Sequence, residues 1–311
     1  MKQKKDATHF KISKMVSLPI NTANPNTTLV PHTSDFQNHQ KILEQVSICI
    51  NRKMPILLVG ETGTGKTSLV RFLAQKTNNC FRRINHNGGT TVEDIAGKIL
   101  LNKEGTYWVD GVLIEAMRNG WWYLADEINA STAEINFIYH SLLDDDGFVV
   151  LSENSGEVVR PHDNFRFFAS MNPSDSYAGT KEMNTALLSR FCVARIEFSP
   201  PNVEKSILTS RTGIQGDIAE KMIKFASEIR ASKAKDKLTL TVSTRELLLW
   251  SELHNVYGKY LPSAEIAILN KTQNEDREAV KDLLSLHFKN IDNPQPKKDE
   301  SATATTAQST V

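Results

Sequence analysis

Ile56-Leu57-Leu58-Val59-Gly60-Glu61-Thr62-Gly63-Thr64-Gly65-Lys66-Thr67-Ser68 decides how the rest of the 311-residue chain is read. Four apolar residues run into the spacing G-x-x-x-x-G-K-T. A helical pattern follows, with Leu69 and Leu73, then Val70 and Ala74, four apart. The glycines let successive backbone N–H groups turn inward, and the helix N-terminus adds partial positive charge, so the turn suits an anion. Lys66 has the reach to meet the β- and γ-phosphates of a nucleotide, and the Thr67 hydroxyl suits Mg2+. The run from Gly60 to Ser68 is the predicted nucleotide-binding segment.

Acids, an amide and two arginines follow at telling places. Trp121–Ala125 is an apolar, strand-length run that ends in Asp126-Glu127. Acids there are costly unless they face a site. Asp126 is predicted to hold Mg2+ and Glu127 to polarise an attacking water. Phe165–Met171 forms another strand ending at Asn172, whose amide both donates and accepts and so suits a lytic water. Arg190 lies between an apolar helix end and a strand. It reads either as a structural ion pair or as a finger reaching a phosphate across a subunit boundary. Ser243-Thr244-Arg245-Glu246 reads as a capping box, which puts Arg245 in the first turn of a helix. A cation opposes the macrodipole there by roughly 0.3–1 kcal/mol, so a phosphate or a local carboxylate must favour it. Ser131-Thr132-Ala133-Glu134 reads as a second capping box, opening a helix that Gly147 ends. Asp144, Asp145 and Asp146 read as a solvated acidic turn, because three consecutive side chains diverge.

Short apolar runs at Ile56–Val59, Trp121–Ala125, Phe165–Ala169 and Val193–Phe198 alternate with helical stretches, the rhythm of an α/β parallel sheet. From Asn202 on, only helical periodicity is found, with Ile218, Met222, Phe225 and Ile229 on one stripe. The predicted organisation is a flexible arm over 1–34, an α/β nucleotide-binding core over 35–200 and a small helical domain over 201–289. A disordered tail over 290–311 completes it. Hairpins are expected at Lys98–Leu101 with Tyr107–Val109, and at Gly147–Leu151 with Gly156–Arg160.

Composition excludes several classes. Lysine plus arginine total 37 against 36 acids, so no global basic field favours nucleic acid or an anionic membrane. The apolar run Met54–Val59 is far short of the ~20 residues of a membrane helix. The lysine-rich start is followed by no apolar signal region. The three cysteines, Cys49, Cys80 and Cys192, are scattered, which argues against a disulfide framework or zinc and fits a reducing cytoplasm. Guanine readers carry Asn-Lys-x-Asp, and both Asn102-Lys103-Glu104-Gly105 and Asn270-Lys271-Thr272-Gln273 lack the acid. No transporter signature Leu-Ser-Gly-Gly-Gln occurs.

Five pieces in order resemble the AAA+ ATPases, in the branch of midasin, the dynein-related modules and the MoxR-type group with its CbbQ, NorQ, GvpN and CobS relatives. They are Val59–Thr67, Val109-Asp110-Gly111-Val112-Leu113-Ile114-Glu115-Ala116, Leu124-Ala125-Asp126-Glu127-Ile128-Asn129, Pro161–Pro173, and Gly179-Thr180-Lys181-Glu182 through Leu187-Leu188-Ser189-Arg190-Phe191. The resemblance covers residues 40 to 255. It implies a three-layer αβα core with a parallel sheet and a helical lid. It implies Walker A at Gly60–Thr67, Walker B at Asp126 and Glu127, sensor 1 at Asn172, an arginine finger at Arg190 and sensor 2 at Arg245. It further implies ATP and Mg2+ as ligands and a homo-oligomeric ring, commonly a hexamer, with both hairpins turned toward the pore. Relatives often act with a von Willebrand A protein. No Asp-x-Ser-x-Ser motif occurs here, so another chain would supply that domain. Three readings remain open. They are a remodeller of a client protein, a metal-chelatase ATPase subunit and a nucleic-acid motor. The third is disfavoured, since Gly147–Arg160 carries one basic residue, Arg160, against Glu153 and Glu157.

Overall fold

The structure, a computed structural model, describes residues 8–23, 26–33, 36, 40–173 and 183–288. The predicted tail 290–311, residues 1–7 of the predicted arm and the Gly179–Glu182 piece of the family resemblance lie outside the described residues. The chain divides into two compact units, one ending at Val203 and the other beginning at Glu204.

The first unit opens with strands β1 (His9–Lys11) and β2 (Ser17–Pro19), helix α1 (Gln40–Asn51) and strand β3 (Ile56–Val59). Next come α2 (Lys66–Lys76), β4 (Phe81–Asn85), α3 (Val92–Ile95), β5 (Gly97–Asn102), β6 (Gly105–Asp110) and α4 (Val112–Asn119). The unit continues through β7 (Trp122–Asp126), α5 (Ala133–Leu142), β8 (Val149–Leu151), β9 (Glu157–Val159), β10 (Arg166–Met171), α6 (Thr185–Leu188) and β11 (Cys192–Arg195). Five of these strands form one parallel sheet in the order β11-β3-β10-β7-β4. Residues alternate across it. Leu57, Val59, Tyr123, Ala125, Phe167 and Ala169 share one apolar cluster with α3, α4 and α5 residues such as Ile95, Ile114 and Ile135. Ile56, Leu58, Trp122, Leu124 and Phe168 face the other, with Val46 and Ile50 of α1 and Leu69, Val70 and Leu73 of α2. Apolar residues on both faces of a strand require cover on both sides, which gives the three-layer αβα core.

Three expectations change. Over residues 8–20 the expected flexible arm is instead an antiparallel β1–β2 hairpin. Leu18 is fully buried among Val46 and Ile50, and Asn51 Nδ2 donates to Ser17 O at 2.8 Å. Phe10 and Ile12 pack against the same cluster, so a few apolar side chains dock an otherwise polar segment. Second, β4 has no apolar signature, because it is an edge strand whose two arginines find acids, Arg82 on Glu115 and Arg83 on Asp126. Third, Ser131 opens no capping box. The N-cap of α5 is Thr132, without a side-chain cap bond, and Ser131 Oγ donates to Ile128 O and Asn136 Oδ1. The 3-10 turn Ile128–Ala130 draws that hydroxyl back. Helix α5 ends at Leu142, so Gly147 lies in the acidic turn beyond it rather than at the cap.

Both hairpins are present, β5 with β6 and β8 with β9. Their outer faces are apolar. Leu101 is 78% exposed, and the opposed pair Val150 and Val158 is exposed as well.

Helix α7 (Pro201–Thr212) crosses the division, and the second unit then holds α8 (Gly216–Lys233), α9 (Thr244–Tyr257), α10 (Tyr260–Ala267) and α11 (Asn274–Phe288). Its core gathers Met222, Phe225, Ile229, Trp250, Leu284 and Phe288. Glu204 is 1% exposed and would be costly alone. Arg230 grips it through Nη1 and Nη2, both at 2.9 Å, and donates Nε to Val242 O. Thr244 Oγ1 adds a third donor at 2.6 Å. Arg230→Ala would strand that carboxylate and should cost about 3–5 kcal/mol. Urea unfolding followed by circular dichroism checks it, and Arg230→Lys should recover only part, because one ammonium cannot replace the fork.

Candidate active site

The sheet order places the site. Strands β3, β10 and β7 are neighbours, so their C-terminal ends deliver the turn after Val59, Asn172 and Asp126 side by side. Such carboxyl ends are where open α/β sheets bind ligands.

In the turn, Gly63 and Gly65 have φ of 78° and 97°, in the left-handed region that favours glycine. Gly60 is required by space, since a Cβ there would come 2.2 Å from Ile196 O. Thr64 is buried and donates to Glu61 O at 2.8 Å, which closes the loop. Thr62 and Ser68 are exposed. Helix α2 starts with no side-chain cap and no acid in its first turn. Its leading N–H groups therefore remain available to an anion.

Lys66 Nζ donates to Gly60 O at 2.6 Å, Glu61 O at 3.0 Å and Asn172 Oδ1 at 2.9 Å. Thr62 Oγ1 reaches the same Asn172 oxygen at 3.5 Å. Thr67 Oγ1 donates to Asp126 Oδ2 at 2.9 Å. The structure thus joins Lys66, Thr67, Asp126 and Asn172.

Asp126 is only 5% exposed and has partners for both oxygens. Arg83 Nη2 lies 2.6 Å from Oδ2, and Ser170 Oγ donates to Oδ1. Ala169 stands opposite Ala125 in register, so Ser170 falls beside Asp126. Neither Arg83 nor Ser170 was singled out in the sequence. The available signals were two arginines in a strand-length run and a hydroxyl inside an apolar one.

Glu127 follows directly but behaves differently. It is exposed and sits at φ 56°, ψ 43°, a left-handed conformation rarely adopted by residues other than glycine. Strain of this kind gathers at functional sites. No side-chain partner occupies it among the described residues.

Beneath Asp126 runs a buried polar chain. His86 N donates to Asp126 O, His86 Nε2 meets Tyr139 Oη at 2.8 Å, and Tyr139 Oη meets Tyr123 Oη at 2.7 Å. Burial lowers the His86 pKa to about 4, with the Asp126 charge pulling the other way. Burial raises both tyrosines.

Of the two remaining arginines, Arg190 makes none of these contacts. Arg190 Nη1 donates to Ala186 O at 2.6 Å, and Nη2 lies 3.4 Å from Asp144, an exposed partner. Neither partner belongs to the phosphate turn. Arg245 lies in the second unit, in the first turn of α9 behind an observed capping box of Ser243 and Glu246. It is exposed, and no ion pair is found for it among the described residues. The acids Asp144–Asp146 form a turn, and no metal-holding group of three or more His, Cys, Asp or Glu occurs among the described residues.

Residues 55–191 match the AAA domain (dynein-related subfamily), and residues 204–287 match the CbbQ/NirQ/NorQ C-terminal family. CbbQ of Hydrogenophilus thermoluteolus is 31% identical over 227 residues, covering 73% of this chain and 84% of that protein. The chain belongs to the AAA+ ATPases, in the CbbQ/NirQ/NorQ group. Midasin of Dictyostelium discoideum is 30% identical over 250 residues, which are 78% of this ATPase and 4% of midasin, so the chain spans a small part of that relative. The aerobic cobaltochelatase subunit CobS of Sinorhizobium sp is 27% identical over 241 residues, 72% of each chain. No helix of this ATPase, among the described residues, is long and apolar enough to cross a membrane.

The neutral His86 of the folded ATPase makes its stability pH-dependent. The unfolded chain binds the extra proton between pH 6.5 and about 4. Stability is therefore complete above 6.5 and falls by about 3 kcal/mol as pH drops toward the folded value. Urea midpoints taken across that window should show the loss, and His86→Gln should remove this share of the slope.

Proposed function

We propose that this AAA+ ATPase works as a homo-oligomeric ring, a hexamer, in which Mg2+-dependent ATP hydrolysis remodels or activates a client protein. A von Willebrand A protein supplied by another chain is the proposed partner. The reading is carried by one observation. Lys66, Thr67, Asp126 and Asn172 converge at the ends of adjoining strands, with Glu127, unpartnered among the described residues, directly after Asp126.

The residues divide the work. The N–H groups from Gly60 to Ser68 cradle the phosphates, and Lys66 exchanges its carbonyl partners for phosphate oxygens. Thr67 and Asp126 offer hard oxygens and would hold Mg2+. That ion, when bound, offsets phosphate charge. Arg83 supplies the positive charge beside Asp126 otherwise, so it must yield or share Oδ2. Glu127 accepts a proton from the attacking water, and Asn172, already tied to Lys66, orients that water. Arg190 acts on the ATP of an adjoining copy, and Arg245 senses nucleotide from the lid. The exposed apolar faces of the hairpins support contact with a protein rather than with nucleic acid. Ring states that differ in affinity for ATP and ADP then bias the client's equilibrium.

A second reading is supported by the likeness to the cobaltochelatase subunit CobS. In it, the same ATPase drives a partner that inserts a metal into a tetrapyrrole. Affinity capture by Glu127→Gln with ATP separates the two. A chelatase partner in the trapped complex favours the second reading, and a client with a von Willebrand A protein favours the first.

Glu127→Gln should bind ATP like the wild type while phosphate release falls by about 10²–10⁴-fold. Arg190→Ala should keep nucleotide affinity and lose about 10³–10⁵-fold in turnover. Mixing Arg190→Ala with Lys66→Ala subunits should restore part of the activity. No restored turnover in rings proven to have exchanged subunits would remove the role across the boundary.

A further inference from the structure

Two of the three cysteines have no part in nucleotide chemistry, yet they meet. Cys49 lies near the end of α1, and Cys192 opens β11. The two thiols come close enough to influence each other, and burial together with Cys192 pushes the Cys49 thiol up to about 11. Cys192 Sγ also lies 3.4 Å from Met54 Sδ. Three sulfur atoms from three segments therefore converge. They do so at the N-terminal ends of β3 and β11, where Cys192 pairs with Ile56, opposite the end that carries the phosphate turn.

Backbone bonds fix each of the three. Lys53, at φ 56°, ends α1 in the left-handed conformation, and Met54 N returns to Cys49 O at 3.0 Å. Cys192 N donates to Pro55 O at 2.9 Å. The cluster is thus preorganised, and its mouth is open, since Met54 is 43% exposed and both thiols are only partly buried.

We propose that Cys49, Met54 and Cys192 form a binding site for a soft monovalent cation, Cu(I). Two thiolates and a thioether match that ion's preference. Structural zinc takes four ligands, and three sulfurs leave it one short. Calcium and magnesium want oxygen donors, which this set lacks. Binding is a ligand exchange without redox change. The two S–H bonds break, two protons go to solvent, and two S–Cu bonds and one thioether contact form. The competing fate of the same pair is a disulfide, formed with a peroxide as oxidant and water as product.

The test is a titration of the reduced full-length protein with Cu(I) under anaerobic conditions, without nucleotide, against a bathocuproine competitor. It is independent of the ATPase reading. One equivalent should be retained, with a thiolate-to-copper absorption band in the ultraviolet. Cys49→Ser and Cys192→Ser should each weaken retention by at least the roughly 10–100-fold that loss of a supporting group costs a metal site. Met54→Leu, a change at a half-exposed side chain that spares the fold, should also weaken it. Cys80→Ser should not, because that thiol is buried elsewhere against Asn26 O. Equal affinity in the wild type and the Cys49→Ser or Cys192→Ser variant overturns the proposal, as does wild-type affinity in Met54→Leu. Failure to retain copper, with peroxide instead joining Cys49 to Cys192 at a mass loss of two hydrogens, assigns the pair to redox chemistry and overturns it too.

Discussion

A carboxylate buried to the extent of Asp126 must be compensated where it stands, because an unpaired charge in a protein interior costs several kcal/mol. Its three compensating donors come from three different places in the chain. Thr67 arrives from α2, Ser170 from β10 and Arg83 from β4. They meet only because β7 lies between β10 and β4, with β3 one strand further on. Sheet order and site chemistry are therefore one constraint.

The two acids at the end of β7 illustrate how adjacent residues acquire opposite properties. Asp126 is the last residue of the strand and inherits its burial and register. Beneath it, the ladder from His86 through Tyr139 to Tyr123 places polar groups beside an apolar cluster. Glu127 is turned out of the strand by its left-handed backbone. Its exposure follows from that single turn. One residue is held by several donors in the interior, and the next is turned out to the surface.

The parts of this arrangement that sequence discloses are those whose signal is local. The glycine spacing of Gly60–Thr67, the apolar runs that became β3, β7 and β10, and the capping box at Ser243–Glu246 all depend on residues within a few positions of one another. Fold class and the gathering of Lys66, Thr67, Asp126 and Asn172 followed from them. What stayed hidden depends on distant partners. Strand β4 is polar because its arginines are satisfied by Glu115 and Asp126, and no periodicity announces that. The β1–β2 hairpin is held by a buried Leu18 and by Phe10 and Ile12 packed against the same cluster, scattered within a polar segment. Ser131 met the local rule for a cap and still lost to a tertiary alternative, the carbonyl of Ile128. Local rules state what a residue can do, and the fold chooses among the options.

Arg190 and Arg245 show how the same choice bears on function. A guanidinium needed permanently by its own chain would be held as Arg230 is, by a buried bidentate carboxylate and a carbonyl. Arg190 has instead one carbonyl and an exposed aspartate at 3.4 Å, a contact that solvent largely screens. Arg245 has no ion pair among the described residues, and it stands where the helix dipole opposes it. Both cations are cheap to redirect. Weak attachment of this kind is what a residue requires if its proper partner arrives only with a nucleotide or an adjoining subunit, and it supports the roles proposed for both arginines.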